Sequence, residues 1–295
     1  MQTEKTIYAL GFFDGVHLGH QALLLACRHL AQEKGCRAGA VTFTSHPDGL
    51  VSGKAPALLN TIEDRKRLLC CYGMERVLPI SFDEKLMTTH WSDFLTQLVQ
   101  QGAAGFVCGN DFRFGAGGSG TAKKLAAFCE SRALPCAVVP QQKMDGVRVS
   151  STYIRQLLEQ GDIAQANRFL GHPHVLSGQV VTGRGLGRTM DIPTANLLLP
   201  EELVIPKLGV YACNAVVDGK EHLAVTNIGS RPTVGGHQLR AESWLLDFEG
   251  DLYGKMLTLS FLKFLRPEKK FSDLEELREE ILKNAAETRK LQENY

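Results

Sequence analysis

The sequence predicts an α/β domain built on a parallel sheet over residues 1–171, then a small antiparallel β-barrel with a C-terminal helix over residues 174–295. Three observations lead there. Short apolar runs alternate with helical stretches through the first half, and strands joined through helices run parallel with both sheet faces covered. After Gly171-His172-Pro173 the helices stop, and strand-like runs follow one another across tight turns such as Asp218-Gly219. Such strands pair antiparallel, and closing them into a barrel removes the exposed edges. One clear helix then returns over residues 272–290.

Residues 7–12 read as the first buried strand, Asp14-Gly15 breaks it, and residues 22–30 read as a core-facing helix. Between them Leu10 to Gln21 spells Leu-Gly-Phe-Phe-Asp-Gly-Val-His-Leu-Gly-His-Gln. His17 and His20 therefore sit at a strand-to-helix turn, three residues apart, with both rings on one side of a first helical turn. The N–H groups of that turn have no intrahelical partner, which makes it a natural seat for phosphate. Gly15 and Gly19 let backbone and ligand approach closely. A histidine pair alone is as often a surface or capping pair; the G-x-F-D-G-V turn before it favours a functional role.

Residues 38–43 form the next strand and end in Thr44-Ser45-His46-Pro47, at the edge where open α/β sheets bind ligands. His46 there either faces phosphate or simply serves the turn. Thr61 opens a helix whose Arg65, Lys66 and Arg67 are expected on a solvated face. A strand over 76–80, a helix over 89–101 and a strand over 105–108 follow. The last runs into Gly109-Asn110-Asp111-Phe112-Arg113-Phe114-Gly115, where Asn110 and Asp111 can accept from a ribose or adenine and Arg113 offers a fixed charge to phosphate. A helix over 121–131 and a strand over 136–139 lead to Ser150-Ser151-Thr152-Tyr153-Ile154-Arg155, which opens a helix ending near Gly161 and by itself reads as a cap. Residues 162–170 make one more short helix before the hinge.

In the second half the strand-like runs are 175–182, 211–217, 223–227, 240–248 and 256–265. Gly183-Arg184-Gly185-Leu186-Gly187-Arg188 is a glycine loop with two guanidinium groups, and Pro193-Thr194-Ala195-Asn196 follows it. In an extended segment Thr194 and Asn196 face the same way, so their two neutral oxygens can meet one hard cation. Mg²⁺ suits such a pair, because phosphate and water complete its shell. Glu242 lies in a late strand. The final helix is expected to pack over one end of the barrel through Leu274, Leu277, Ile281 and Leu282.

The 295 residues, 44% hydrophobic and 22% charged, allow two ordinary cores. A net charge of +1 provides no global field for nucleic acid or an acidic membrane, so a small-molecule partner held by local donors is expected. No apolar stretch is long enough to span a bilayer, and Met-Gln-Thr-Glu-Lys lacks the apolar core of a secretion signal, which predicts a cytoplasmic protein. Eight cysteines without a C-x-x-C read as reduced core residues. No G-x-x-x-x-G-K-[ST] occurs, so a kinase here is not of the P-loop kind.

Taken together, F-D-G-V-H-x-G-H-Q, G-x-D-F-R-F-G and S-S-T-x-I-R in the first half, with P-T-A-N, Gly209-Val210-Tyr211-Ala212, the run from Asn227 to Thr233 and Glu242 to Gly254 in the second, resemble the prokaryotic bifunctional riboflavin kinase/FAD synthetase family over residues 5–285. The resemblance implies a Rossmann-like nucleotidylyltransferase (FMN adenylyltransferase) domain and a riboflavin kinase barrel. Riboflavin and ATP would give FMN, and FMN and ATP would give FAD and pyrophosphate. It further implies His17 and His20 as catalytic, with ATP and FMN held by Gly11, Phe13, Asp14, Gly19, His46, Asn110, Asp111, Arg113, Ser151, Thr152 and Arg155. For the barrel it implies Glu242 as base, Thr194 and Asn196 around Mg²⁺, and Gly183, Gly185, Gly187, Arg188, Asn227 and Arg231 around ATP and flavin. The partners implied are ATP, riboflavin and FMN, with a weak homo-oligomer left open. The chain departs from the family at Thr44 and Ser45, at the uncharged run 116–121, at Asp191, and at Ser243-Trp244. The alternative is a single-activity FAD synthetase whose C-terminal half binds flavin and regulates.

Overall fold

A computed structural model of the chain describes residues 5–183, 190, 192–233 and 236–292. Packing divides the chain into two compact units, residues 1–57 with 62–151 and residues 58–61 with 152–295.

The first unit runs β1 (Thr6–Leu10), α1 (Leu18–Glu33), β2 (Arg37–Phe43), α2 (Pro47–Val51), α3 (Ile62–Cys71), β3 (Arg76–Ile80), α4 (Glu84–Thr88), α5 (Trp91–Gln100), β4 (Ala103–Gly109), β5 (Arg113–Phe114), β6 (Gly120–Thr121), α6 (Ala122–Glu130), β7 (Cys136–Val139), β8 (Lys143–Met144) and β9 (Val147–Arg148). Five strands form a sheet in the order β3-β2-β1-β4-β7, every neighbouring pair parallel. Because successive side chains alternate between faces, β1 feeds two cores. Tyr8 and Leu10 pack with Phe94 and Leu98 of α5 and Leu125 and Phe128 of α6. Ile7 and Ala9 pack with Leu24 and Cys27 of α1 and Leu69 of α3. All five residues of β1 are buried, as a strand covered on both faces requires. The chain turns from β1 to β2 on one side and later sets β4 on the other. The carboxyl ends of β1 and β4 therefore flank the point where strand order reverses, the usual ligand crevice of such sheets.

The second unit contains α7 (Ser151–Gln160, its first residue in the first unit), α8 (Ile163–Leu170), β10 (His174–Val181), β11 (Ala195–Leu198), β12 (Gly209–Val217), β13 (Lys220–Thr233), β14 (Gly236–Leu245), β15 (Met256–Arg266) and α9 (Leu274–Gln292). Its strands close into a barrel in the order β10-β11-β14-β13-β12-β15, all neighbours antiparallel. The inward row is apolar, with Leu197, Tyr211, Ile228, Ala241, Leu259 and Phe261 fully buried; the Thr226–Ser243 hydroxyl pair at 2.9 Å and His174 are its polar members. The two helices before the hinge pack in this unit: the Asn167 amide donates to the Phe261 carbonyl and accepts the His174 N–H, each at 2.8 Å.

Two features depart from the sequence expectation. The C-terminal helix lies along the outward side of the barrel wall, where Ala285 packs with Val210, Val225 and Leu246. Its Leu274 and Leu282 are 53% and 40% exposed, and the buried line is Asn284, Ala285 and Thr288. The fully buried contact with the wall is thus in the C-terminal half of the helix, while Leu277 and Ile281 are half-buried. The second feature is the segment 58–61, which joins the barrel unit: Leu58 N–H donates to Glu202 O at 2.7 Å and Val204 N–H to Leu58 O at 2.8 Å.

Candidate active site

The turn after β1 has left-handed backbone at Phe13 (φ 59°), Gly15 (φ 77°) and Val16 (φ 40°). For a β-branched residue such as Val16 this conformation is strained and persists only where the surroundings fix it. The Gln21 amide donates to Val16 O and the Ser151 hydroxyl to Asp14 O, both at 2.9 Å. Ser151 is thereby brought to the histidine turn, 137 residues away in the chain.

His17 is the N-cap of α1: its Nδ1 accepts the His20 N–H at 3.3 Å. An accepting Nδ1 leaves the proton of the neutral ring on Nε2. The two imidazoles stack with centroids 3.6 Å apart and planes within 11°. Gly19 makes the stack possible, since a Cβ there would stand 3.1 Å from the His17 ring. His20 is edge-on to Phe13 at 5.3 Å, and its buried Nδ1 has no hydrogen-bond partner among the described residues. Burial, and after it the neighbouring His17 and Arg65, hold its pKa well below the ordinary 6.5, so the ring is neutral at pH 7. His20 thus presents an uncharged ring, stacked on His17, beside the N–H groups of a helix start, an arrangement for receiving anionic oxygens.

Across the switch point, Asp111 accepts Arg148 at 2.5 Å and Gln141 at 2.9 Å, while Asn110 and Arg113 are exposed. Phe112 and Phe114 stack at 5.6 Å. Beside them a cavity of about 390 Å³ is lined by Phe43, Phe82, Phe94, Arg113, Phe114 and Gly115. His46 caps α2, its Nδ1 accepting Asp48 N–H at 3.2 Å, with its ring edge-on to Phe12 at 4.8 Å. That is a turn role for Nδ1. Gly11 lies buried against the Phe13 ring. Thr152 and Arg155 follow Ser151 on α7 and belong to the second unit.

Sequence reasoning missed Arg65. The Arg65-Lys66-Arg67 run, expected on solvent, is split: Lys66 pairs with Glu63 and Arg67 with Asp64, while Arg65 is wholly buried. The signal was helical spacing. Arg65 lies one turn before the buried Leu69, on the core side of α3, and its charge masked that position.

In the barrel, register aligns three of the expected residues. Asn196 of β11 stands opposite Glu242 of β14, and Glu242 opposite Asn227 of β13. Their neighbours Ala195, Leu197, Ala241, Ser243, Thr226 and Ile228 point inward, so this row faces outward on three adjacent strands. Asn196 is 5% exposed, yet its Oδ1 has no hydrogen-bond partner among the described residues. Gly183 presses on that amide so closely that a Cβ would overlap it. Thr194, two residues back on the same face, borders a cavity of about 340 Å³ lined also by Val180, Leu245, Phe248, Asp251 and Tyr253. A buried amide oxygen left unpaired is costly unless something accepts its lone pairs. An unpaired amide oxygen and a hydroxyl are both hard oxygen donors, so the residues present fit Mg²⁺. Gly185, Gly187, Arg188 and Asp191 lie outside the described residues, as does the Arg231 side chain.

Comparison with known proteins agrees with this geometry. The family described as FAD synthetase matches residues 1–153, and that described as riboflavin kinase matches residues 170–292. Proteins named bifunctional riboflavin kinase/FMN adenylyltransferase are 35% identical in Listeria monocytogenes and 35% in Bacillus subtilis, each alignment covering 96% of this chain and 91% of the relative. The Escherichia coli (strain K12) protein of the same name is 36% identical over 95% of this chain and 91% of its own. Among solved structures, a Streptococcus pneumoniae protein described as a macrolide-efflux protein superposes with a TM-score of 0.87 at 27% identity, covering 98% of this chain and 95% of that one. No helix among the described residues here is long and apolar enough to cross a membrane. The chain belongs to the bifunctional riboflavin kinase/FMN adenylyltransferase family, and its reactions are the phosphorylation of riboflavin by ATP and the adenylylation of FMN.

Proposed function

We propose that adenylyl transfer is carried out around His17 and His20, within a domain of residues 1–171, and phosphoryl transfer around Thr194, Asn196 and Glu242, within a domain of residues 174–295. The single observation that carries the first assignment is the stacked pair of histidines at the start of α1, on the ligand edge of the sheet.

In the adenylyl transfer an FMN phosphate oxygen attacks the α-phosphorus of ATP and pyrophosphate leaves. The nucleophile is already an anion and needs no base. His17 Nε2–H, His20 and the first-turn N–H groups of α1 stabilise charge on the α-phosphate and the departing pyrophosphate. Ser151 assists, and Asn110, Asp111 and Arg113 hold the nucleotide. The aromatic cavity beside Phe43, Phe82 and Phe114 suits the flat isoalloxazine ring, whose contacts are apolar stacking.

In the kinase reaction the riboflavin 5′-hydroxyl attacks the γ-phosphorus of ATP, Glu242 takes the hydroxyl proton and ADP leaves. Thr194 and Asn196 would hold Mg²⁺, whose charge neutralises the phosphate oxygens when it is bound. Asn227, in line with Glu242, and Gly183 border the reactants. ATP-dependent chemistry on small molecules fits a cytoplasmic enzyme, and a weak homo-oligomer is compatible with it.

Incubation with riboflavin, ATP and Mg²⁺, with products separated by chromatography, tests the assignment. His20→Ala is expected to abolish FAD while sparing FMN, and Glu242→Ala to abolish FMN formation while FAD still forms from supplied FMN. A wild-type protein that makes FAD only from supplied FMN would instead favour a flavin-binding, regulatory C-terminal half.

A further inference from the structure

Arg65 has the largest fully buried side chain among the described residues, at 0% exposure. Its Nη1 donates to Phe43 O at 2.8 Å and to Thr42 Oγ1 at 3.3 Å, while that hydroxyl donates to Phe12 O at 2.7 Å. The guanidinium also lies over the Phe12 ring at 4.2 Å and is attracted by the Asp14 carboxylate. One side chain of α3 therefore joins the end of β2, Phe12 two residues beyond β1, and the strained turn that leads into His17.

Burying a guanidinium costs several kcal/mol even after relaxation, and a well-packed apolar residue often fills such a site with equal or greater stability. Fold stability alone is thus a poor reason for a cation here. The site itself offers a better one. The reacting groups are polyanions, and Arg65 is the fixed charge underneath the imidazoles that are to meet them. Burial lowers its pKa to about 10, so it stays charged at neutral pH.

Resting on the assignment of adenylyl transfer to His17 and His20, we propose that Arg65 is a positioning residue for that reaction: it clamps the turn from Phe12 to Val16 against the ends of β1 and β2 and fixes a positive charge under the stacked histidines. The charged and titratable groups facing it are Asp14 of the turn and His17 and His20 of α1, with His46 at the N-cap of α2 on the other side of Phe12. The clamp holds the ring edges in place. The charge adds to burial and to His17 in holding His20 neutral.

The test is the pH profile of kcat/KM for FAD formation from FMN and ATP, in the full-length chain, for Arg65→Met and Arg65→Lys. Methionine removes the charge, so His20 protonates at higher pH: the acid limb moves up by about half a pH unit or more, and the rate falls roughly tenfold or more. Lysine keeps the charge but has no planar guanidinium to lie on the Phe12 ring while one nitrogen reaches Thr42 and Phe43, so the rate falls while the acid limb stays. A merely structural arginine would lower the active fraction without moving the limb. An unmoved limb in Arg65→Met, or a wild-type rate in Arg65→Lys, overturns the proposal. Should Arg65→Met not fold, Arg65→Lys decides: a reduced rate with an unmoved limb supports the clamp, and a wild-type rate overturns it. His20→Ala separates the two levels. FAD formation surviving His20→Ala would sink the site assignment itself, whereas its loss together with an indifferent Arg65 would sink only the present inference.

Discussion

Gly19 and Asn196 show how single atoms set the two sites. An alanine at Gly19 would put its methyl 3.1 Å from His17 Cε1, tighter than ordinary contact, and His17 is itself the cap of α1. The ring must give by a few tenths of an ångström, and misplacement on that scale is expensive in a preorganised site. Gly19→Ala is therefore expected to lower FAD formation by roughly tenfold or more while FMN formation is unchanged, as read by product chromatography. At Asn196 the unpaired Oδ1 is the atom to remove. Asn196→Ala should raise the Mg²⁺ concentration needed for half-maximal FMN formation by roughly tenfold, within the range of a lost metal contact, and leave the Mg²⁺ dependence of FAD formation as it was. An unchanged Mg²⁺ requirement would remove Asn196 from the metal site. Both residues stand out in the sequence because glycine beside a histidine pair, and Thr-x-Asn in an extended run, need no tertiary information to be noticed. Arg65 was not, because a run of three cations looks like a wetted helix face until the far side of that helix is known.

At the scale of elements, the strands over 76–80 and 136–139 appear with the bounds the pattern suggests, whereas β11 starts directly after Pro193-Thr194 and is not marked off in the sequence as a strand of its own. The pairing of residue 58 with Leu203 is long-range and unmarked by any local turn. β10 carries a consequence that only packing reveals. His174 points into the barrel beside Phe261, and burial, with His172 a lesser cause, lowers its pKa to about 3. The unfolded chain, with an ordinary histidine near 6.5, binds the proton first. Stability is thus whole above pH 6.5 and lost as pH falls from there towards 3, by about 1.4 kcal/mol per pH unit. Urea unfolding followed through Trp244 in a Trp91→Phe background should show the barrel weaker at pH 5 than at pH 7. His174→Phe should remove about 2 kcal/mol of that difference. A pH 5 penalty that survives the substitution would assign it elsewhere.

For the molecule as a whole, each unit has its own apolar interior and each expected site draws most of its residues from one of them. FMN is made in one reaction and consumed in the other. It carries a phosphate, and a chain of net charge +1 has no field strong enough to detain an anion near its surface. FMN that leaves a kinase site for solvent is open to an adenylyl-transfer site on the same chain or on another. An equal mixture of His20→Ala and Glu242→Ala proteins should then convert riboflavin to FAD after a lag in which free FMN accumulates. The final rate should approach that of wild-type protein at half the total concentration, since half the sites of each kind are intact. The lag should shorten when FMN is added at the start. If the FMN made instead stays bound to the His20→Ala protein and no FAD appears, while Glu242→Ala alone still adenylylates added FMN, release rather than chemistry separates the reactions, and each chain must use the FMN it makes.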